Sequence, residues 1–183
     1  HLDDATRLAK NARIKAAGIA TRERRKNMVV RVRELKLTSN QLTKRQREDL
    51  TRLFLEAKWL RNSALSAQRF DDAYASEIGS SVQVRLPGDV MEERPFLVLG
   101  GQMKQAIIAE LRDNLSGLKA AKARGRKVGR LRFSREVTSV NLKQFGSTHK
   151  IDIARGRAKI ANVHGWVKVR GLKQIDDIGA IAN

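Results

Sequence analysis

One change of period constrains this chain more than any other feature. In residues 28–33, MVVRVR, Met28, Val30 and Val32 alternate with Val29, Arg31 and Arg33. That period of two predicts a strand with one cationic face, continued imperfectly by Leu35 and Leu37. The next strand-like stretches come only after residue 137. They are expected around Val140 and Leu142, Ile151 and Ile153, Ile160 and Val163, and Val167 and Val169, with turns at Gly146, Gly156 and Gly165. A lone strand leaves its backbone groups unpaired, so it must find partners, and the late strands are the plentiful ones. The chain is therefore expected to be α+β, a small β-barrel interrupted by a helical insertion.

The intervening sequence is helical. From Gln46 to Ala75 the residues Leu50, Leu53, Phe54, Ala57, Leu60, Ala64 and Leu65 form one stripe at spacings of three and four, with Thr43 as the expected N-cap. Gly79 and its serines end the run. Residues 71–93 carry six acids against Arg85, and Val82, Val84 and Leu86 suggest a short strand turned by Pro87-Gly88. Gly100-Gly101 precedes a second helix over 102–124, with Met103, Ile107, Leu111, Leu115 and Leu118 as its apolar face. Residues 1–27 read as a further helix, with Leu8, Ala12, Ala16 and Ile19 at helical spacing and eight Lys/Arg opposing three acids. No internal repeat or low-complexity tract is present.

Charge narrows the partner. The 183 residues hold 38 Lys and Arg against 19 Asp and Glu, a formal net charge of +19. Such an excess repels itself in a compact state and calls for a compensating polyanion. Nucleic acid fits best, because each neutralised phosphate releases counterions. An anionic membrane surface is the other candidate. No apolar run reaches the length of a membrane span, and the N-terminus lacks the succession of a signal peptide. Cysteine is absent, which excludes disulfides and thiolate metal sites and fits a reducing cytosol. The chain opens on His1, so it reads as processed, as a fragment, or as a renumbered stretch of a longer protein.

Four groups of residues carry the candidate chemistry. On the 102–124 helix, Gln102, Gln105, Ala109, Arg112 and Ser116 line one face without a carboxylate. Such a face suits a groove of DNA, while composition alone favours an ordinary solvated face. Arg61 lies on the apolar stripe between Ala57 and Ala64, where a guanidinium needs a partner. Either an acid from 71–93 or a base or phosphate would serve. Trp59 and Leu55 lie opposite, with core packing the expected role of Trp59. Residues 118–135 hold eight Lys/Arg and no acid; Arg124, Arg126, Lys127, Arg130, Arg132 and Arg135 crowd between glycines, which favours phosphate binding over a solvated face. In GWVKVRG, Trp166, Lys168 and Arg170 share one strand face. They could stack a base and hold its backbone, or form the exterior of a half-buried strand.

Catalytic constellations are missing. His1, His149 and His164 lack metal-ligand spacing, and no phosphate-binding loop ends in Lys-Ser/Thr. Glu136, Asp152, Asp176 and Asp177 do not form the converging carboxylates of a two-metal nuclease.

Four stretches in one order resemble a known family. MVVRVREL at 28–35, LFLEAKWLRNSAL at 53–65, GGQMKQAIIAELRDNLSGL at 100–118 running into ARGRKVGRLRF at 123–133, and KIDIARGRAKIANVHGWVKVRG at 150–171 resemble the N-terminal half of TnpB, the RNA-guided nuclease of insertion sequences, and of compact type V CRISPR effectors. Leu131 replaces the family's usual proline before the Arg-Phe pair, and the 1–27 helix is extra. The family's RuvC-like nuclease domain, with its carboxylates and Mg2+, would follow position 183.

The resemblance implies an OB-like wedge barrel from 28–40 and 130–178, interrupted by a helical recognition lobe at 41–129. It implies partners in guide RNA, target DNA duplex and heteroduplex, with pairing reading sequence and protein reading shape and a short adjacent motif. Carried over by position, Arg61, Asn62, Gln102, Gln105, Ser147 and Thr148 would read the motif. Arg124, Arg126, Lys127, Arg130 and Arg132, with Trp166, Lys168 and Arg170, would face RNA or backbone. No cofactor is expected in this chain. A homodimer stays open, and the expected location is the cytoplasm of a prokaryote, beside the nucleoid. A ribosomal-type structural RNA-binding protein and the DNA-binding module of a transposase remain the alternatives.

Overall fold

The computed structural model describes residues 3–26 and 32–176 and divides into two units, His1–Glu34 and Leu35–Asn183. In the first unit, helix α1 spans Asp4–Lys26, as its periodicity predicts. The Asp3 carboxylate accepts from the Thr6 amide at 2.8 Å, and Arg24, Arg25 and Lys26 occupy the last turn, where cations suit the helix dipole. No residue of α1 is buried.

The second unit is mixed α and β. Its order is β1 (Lys36–Leu37), α2 (Lys44–Ala67), α3 (Asp72–Glu77), β2 (Ser81–Arg85), β3 (Met91–Pro95), α4 (Gly101–Ala123), β4 (His149–Asp152), β5 (Arg157–Ile160), β6 (Val167–Arg170) and α5 (Lys173–Asp176). Two antiparallel sheets result, a hairpin β2-β3 and a four-stranded sheet in the order β1-β6-β5-β4. The early strand thus pairs with the last one across the whole insertion. Among the described residues the four strands form an open sheet rather than a closed barrel.

The first strand lies later than expected. Of the predicted strand at 28–33, residues 28–31 fall outside the described residues, and Val32 is 88 % exposed without a ladder. Pairing begins where β6 offers partners, Lys36 opposite Arg170 and Leu37 opposite Val169, while Leu35 packs on the core. The strand predicted around Val140 and Leu142 does not form. Residues 126–144 hold no helix or strand, and Leu131, Val137, Val140 and Leu142 pin this segment by half-burial against the core.

The helix predicted over 46–75 is two helices. Thr43 and Gln46 form the reciprocal capping box that starts α2. Gln68 ends it in the left-handed conformation, with its amide donating to Leu65 and that of Arg69 to Ala64. Asp71 then caps α3 through the Tyr74 amide at 2.7 Å. The cap competes for the backbone groups that a continuous helix would need.

One core joins insertion and sheet. Leu53, Ala57, Leu60 and Ala64 of α2 meet Met103, Ile107, Ile108 and Leu111 of α4, and Val163, Val167, Val169 and Leu172 close it from the sheet side. Each fully buried large side chain contributes about 1.5–3 kcal/mol. Among the described residues a single buried acid ties α2 to the segment that leads into α4. Glu56, fully buried, accepts the amides of Leu97, Val98 and Leu99 at 2.8–3.0 Å and the Arg52 guanidinium at 2.7 Å. Burial disfavours its charge, but these four donors outweigh it and hold the carboxyl below its ordinary pKa.

Candidate nucleic-acid interface

Strand parity builds the site. Val167 and Val169 are buried, so Lys168 and Arg170 stand on the opposite, exposed face of β6. Residues directly opposed in an antiparallel pair share a face. The register sets Lys36 opposite Arg170, Arg157 opposite Lys168, Lys150 opposite Lys159, and Asp152 opposite Arg157. Six cations therefore share one sheet face with one acid. Three of the four opposed pairs set like charge against like, an arrangement that costs stability.

Within that face Arg157 is held. Its Nε donates to Asp152 at 2.9 Å, and its guanidinium lies 4.6 Å from the centre of the Trp166 ring. The Arg157 bond lowers the Asp152 pKa against a smaller opposing effect of burial, so Asp152 is ionised at neutral pH. Lys36, Lys150, Lys159, Lys168 and Arg170 are exposed and form no ion pair with a described acid. They leave a surplus of positive charge for an anion.

The approach to β6 is anchored from α2. Gln46 donates through Nε2 to the carbonyls of His164 and Trp166 at 3.0 and 3.1 Å, and Asp49 accepts the His164 amide at 2.9 Å. Gly165 takes a positive φ in this turn, a backbone conformation that favours glycine. These bonds fix where Trp166 stands. Arg157 lies over one side of its ring.

The basic run lies beyond α4. Arg124, Arg126, Lys127, Arg130 and Arg132 are all exposed, and none pairs with a described acid. Gly125 has φ +73, and half-buried Leu131 packs on the core late in the run.

The expected motif readers are differently placed. Arg61 is largely buried; its Nε donates to Ser134 Oγ at 2.8 Å, and Glu110 lies 3.9 Å away. Its acid thus comes from α4, not from 71–93. Asn62 uses both ends of its amide on Ser134, accepting from the backbone N–H and donating to the carbonyl, each at 2.9 Å. Both residues clamp residue 134 to α2. Thr148 is 4 % exposed, with its hydroxyl donating to the Gln144 carbonyl at 2.8 Å, so only Ser147 of that turn is open. Gln105 is exposed and Gln102 half-buried on the first turns of α4, while Arg112 of the same face pairs with Asp72 at 2.6 Å. No hydrogen bond among the described residues joins these glutamines to the 147–148 turn.

Trp59 is buried, as expected, between the guanidiniums of Arg52 and Arg94, each 5.0 Å from its ring. Sequence reasoning missed Lys36, Lys150, Arg157 and Lys159. Their signal was alternation with Leu37, Ile151, Ala158 and Ile160, which needed the register to be read across strands. Among the described residues no group of three His, Asp or Glu could hold a metal, and no helix is long and apolar enough to cross a membrane. No family model matches the chain, and neither a curated protein nor a solved structure does.

Proposed function

We propose that this chain is the nucleic-acid-binding part of an RNA-guided DNA-targeting protein, and that the exposed face of the β1-β6-β5-β4 sheet grips the RNA. The observation that carries the reading is the set of three opposed cation pairs on that face. Self-repelling rungs are a poor device for stability and a good one for phosphates, whose binding converts the repulsion into attraction. Trp166 beside Lys168 and Arg170 adds a stacking surface of the kind used on single strands.

Two further supports point to the guided class. The first strand pairs with the last across an inserted helical segment, the topology that the likeness to TnpB leads one to expect. The basic loop at 124–132 follows directly on the inserted helix, in the family's order. In this reading the sheet belongs to an OB-like wedge, the elements from α2 to α4 are the recognition lobe, and Gln102, Gln105 and Ser147 are the open candidates for reading a target-adjacent motif. Arg61 and Asn62 act as positioning residues.

Electrophoretic mobility shift with the purified chain tests the reading. Tight binding to one structured guide-type RNA, with weak duplex DNA binding in its absence, is the expected result. Specific duplex binding without RNA would overturn it in favour of a transposase module. Binding confined to ribosomal RNA would overturn it in favour of a structural RNA-binding protein.

A further inference from the structure

A concave surface elsewhere in the molecule is lined by none of the residues of the sheet face. It is a cleft of about 860 Å³ between α2, the β2-β3 hairpin and residues 133–135. That volume falls in the range of sites that take a small organic molecule. Two large apolar side chains line it in the open, Phe133 at 65 % and Met91 at 57 % exposure. Scattered apolar residues on a surface are ordinary. An aromatic and a thioether in one cleft form a platform on which a flat ring can rest.

The charge of the cleft fits an anion. Four cations line it. Arg85 is paired with Asp89 at 2.7 Å and Arg94 with Glu92 at 2.9 Å. Lys58 and Arg135 form no ion pair with a described acid. The Trp59 indole at the cleft wall is already stacked by two guanidiniums, so Phe133 is the ring left open. Hydrogen-bonding groups complete the set. Ser63 and Ser66, three apart on α2, and Gln83 on β2 line the cleft with side chains that make no hydrogen bond to a described residue.

The platform is held in place. Asn62 grips the Ser134 backbone from both sides, and Arg61 holds its hydroxyl. The flanking residues Phe133 and Arg135 therefore reach the cleft from a fixed segment, so little ordering opposes binding. An open aromatic, two uncompensated cations and three neutral hydrogen-bonding groups are the chemistry of an unstacked nucleotide.

We propose that this cleft holds one or two unstacked nucleotides of a single strand, with a base on Phe133 and Met91 and a phosphate between Lys58 and Arg135. The proposal rests on the nucleic-acid reading above and adds a second contact point to it.

Photocrosslinking tests it. A 5-iodouridine-substituted oligouridylate is irradiated with the full chain, and adducts are mapped by mass spectrometry, while affinity is followed by fluorescence anisotropy. Adducts at Phe133 or Met91 are expected. Phe133→Ala should weaken binding about tenfold, the scale of one lost base stack, and Phe133→Trp should restore it. Because Phe133 is exposed, its replacement should leave the circular-dichroism melt in place. Retained binding with adducts confined to Trp166 overturns the cleft and leaves the sheet face standing. Failure of the oligouridylate to bind, while a structured guide-type RNA still binds, overturns the cleft; failure of both overturns the wider reading. Loss of self-association in Phe133→Ala, with oligonucleotide affinity unchanged, would make the cleft a protein contact and overturn the proposal.

Discussion

Replacing Lys150, Lys159 and Lys168 together by Gln separates binding from stability in one variant. All three are exposed and lack a described acid partner, so each is free to neutralise a phosphate. On a single strand each neutralised phosphate contributes about 0.7 to the slope of log affinity against log salt, so the slope should fall by about 2. Between about 50 and 200 mM salt, the wild-type chain should then lose roughly twentyfold more affinity than the variant. Stability should move the other way. The Lys150–Lys159 and Arg157–Lys168 rungs are both relieved, each by about 0.2–1 kcal/mol, the second less because Asp152 already compensates Arg157. Anisotropy with a labelled single-stranded RNA across a KCl series measures the slope, and thermal melting measures the stability. An unchanged slope would show that RNA does not lie on this face. A drop in melting temperature would show that the rungs are not self-repelling.

Other elements yield further expectations. Glu56→Gln should destabilise the chain by about 2–4 kcal/mol in urea denaturation, because an amide cannot accept from four donors. The Glu56 carboxyl has its pKa lowered on folding, so its contribution is present above the ordinary carboxylate range and is lost as pH falls through the depressed value. The urea midpoint should accordingly fall as pH drops below about 4. Asn62→Ala removes both bonds to Ser134 and should cost about 1–3 kcal/mol while loosening residues 133–135, visible as faster amide exchange there. Neutralising Arg126, Lys127 and Arg130 by Gln should flatten the salt slope again by about 2, with no change in melting temperature; an unaltered slope would remove the loop from the interface.

Much of the fold could be read from periodicity because α2 and α4 show their buried faces in every turn. Leu53, Ala57, Leu60 and Ala64 repeat at helical spacing and are all buried, and Thr43 with Gln46 announces the helix start. The break after Ala67 was hidden, since Phe70, Tyr74 and Ala75 keep packing on the core although Asp71 begins a new helix. The β2-β3 hairpin was half legible. Val82 and Val84 alternate, but MEERP on β3 has no apolar face to betray it. Glu56 escaped notice because an acid at a core spacing is ordinarily solvated. Its role depends on three amides supplied from more than forty residues away. The candidate site was legible by its ends, Trp166, Lys168 and Arg170. Its breadth was not, because Lys36, Lys150 and Lys159 join them only through strand register. Arg61 drew attention as a guanidinium on the apolar stripe and Asn62 only through the resemblance, and the structure joins both to Ser134, a residue that nothing in their local sequence names.

The junction of β1 with β6 has a consequence for how the protein is made. Lys36 leaves the ribosome early and Arg170 late, with both long helices emerging in between. Contacts between such distant segments form slowly, because closing the intervening loop must precede any gain from pairing. The helical part can therefore collapse on its own side chains while the cationic surface still lacks an edge. A nascent or truncated chain ending before Gly165 would present the helix pair beside an unfinished sheet, with Lys36 and Leu37 lacking their β6 partners.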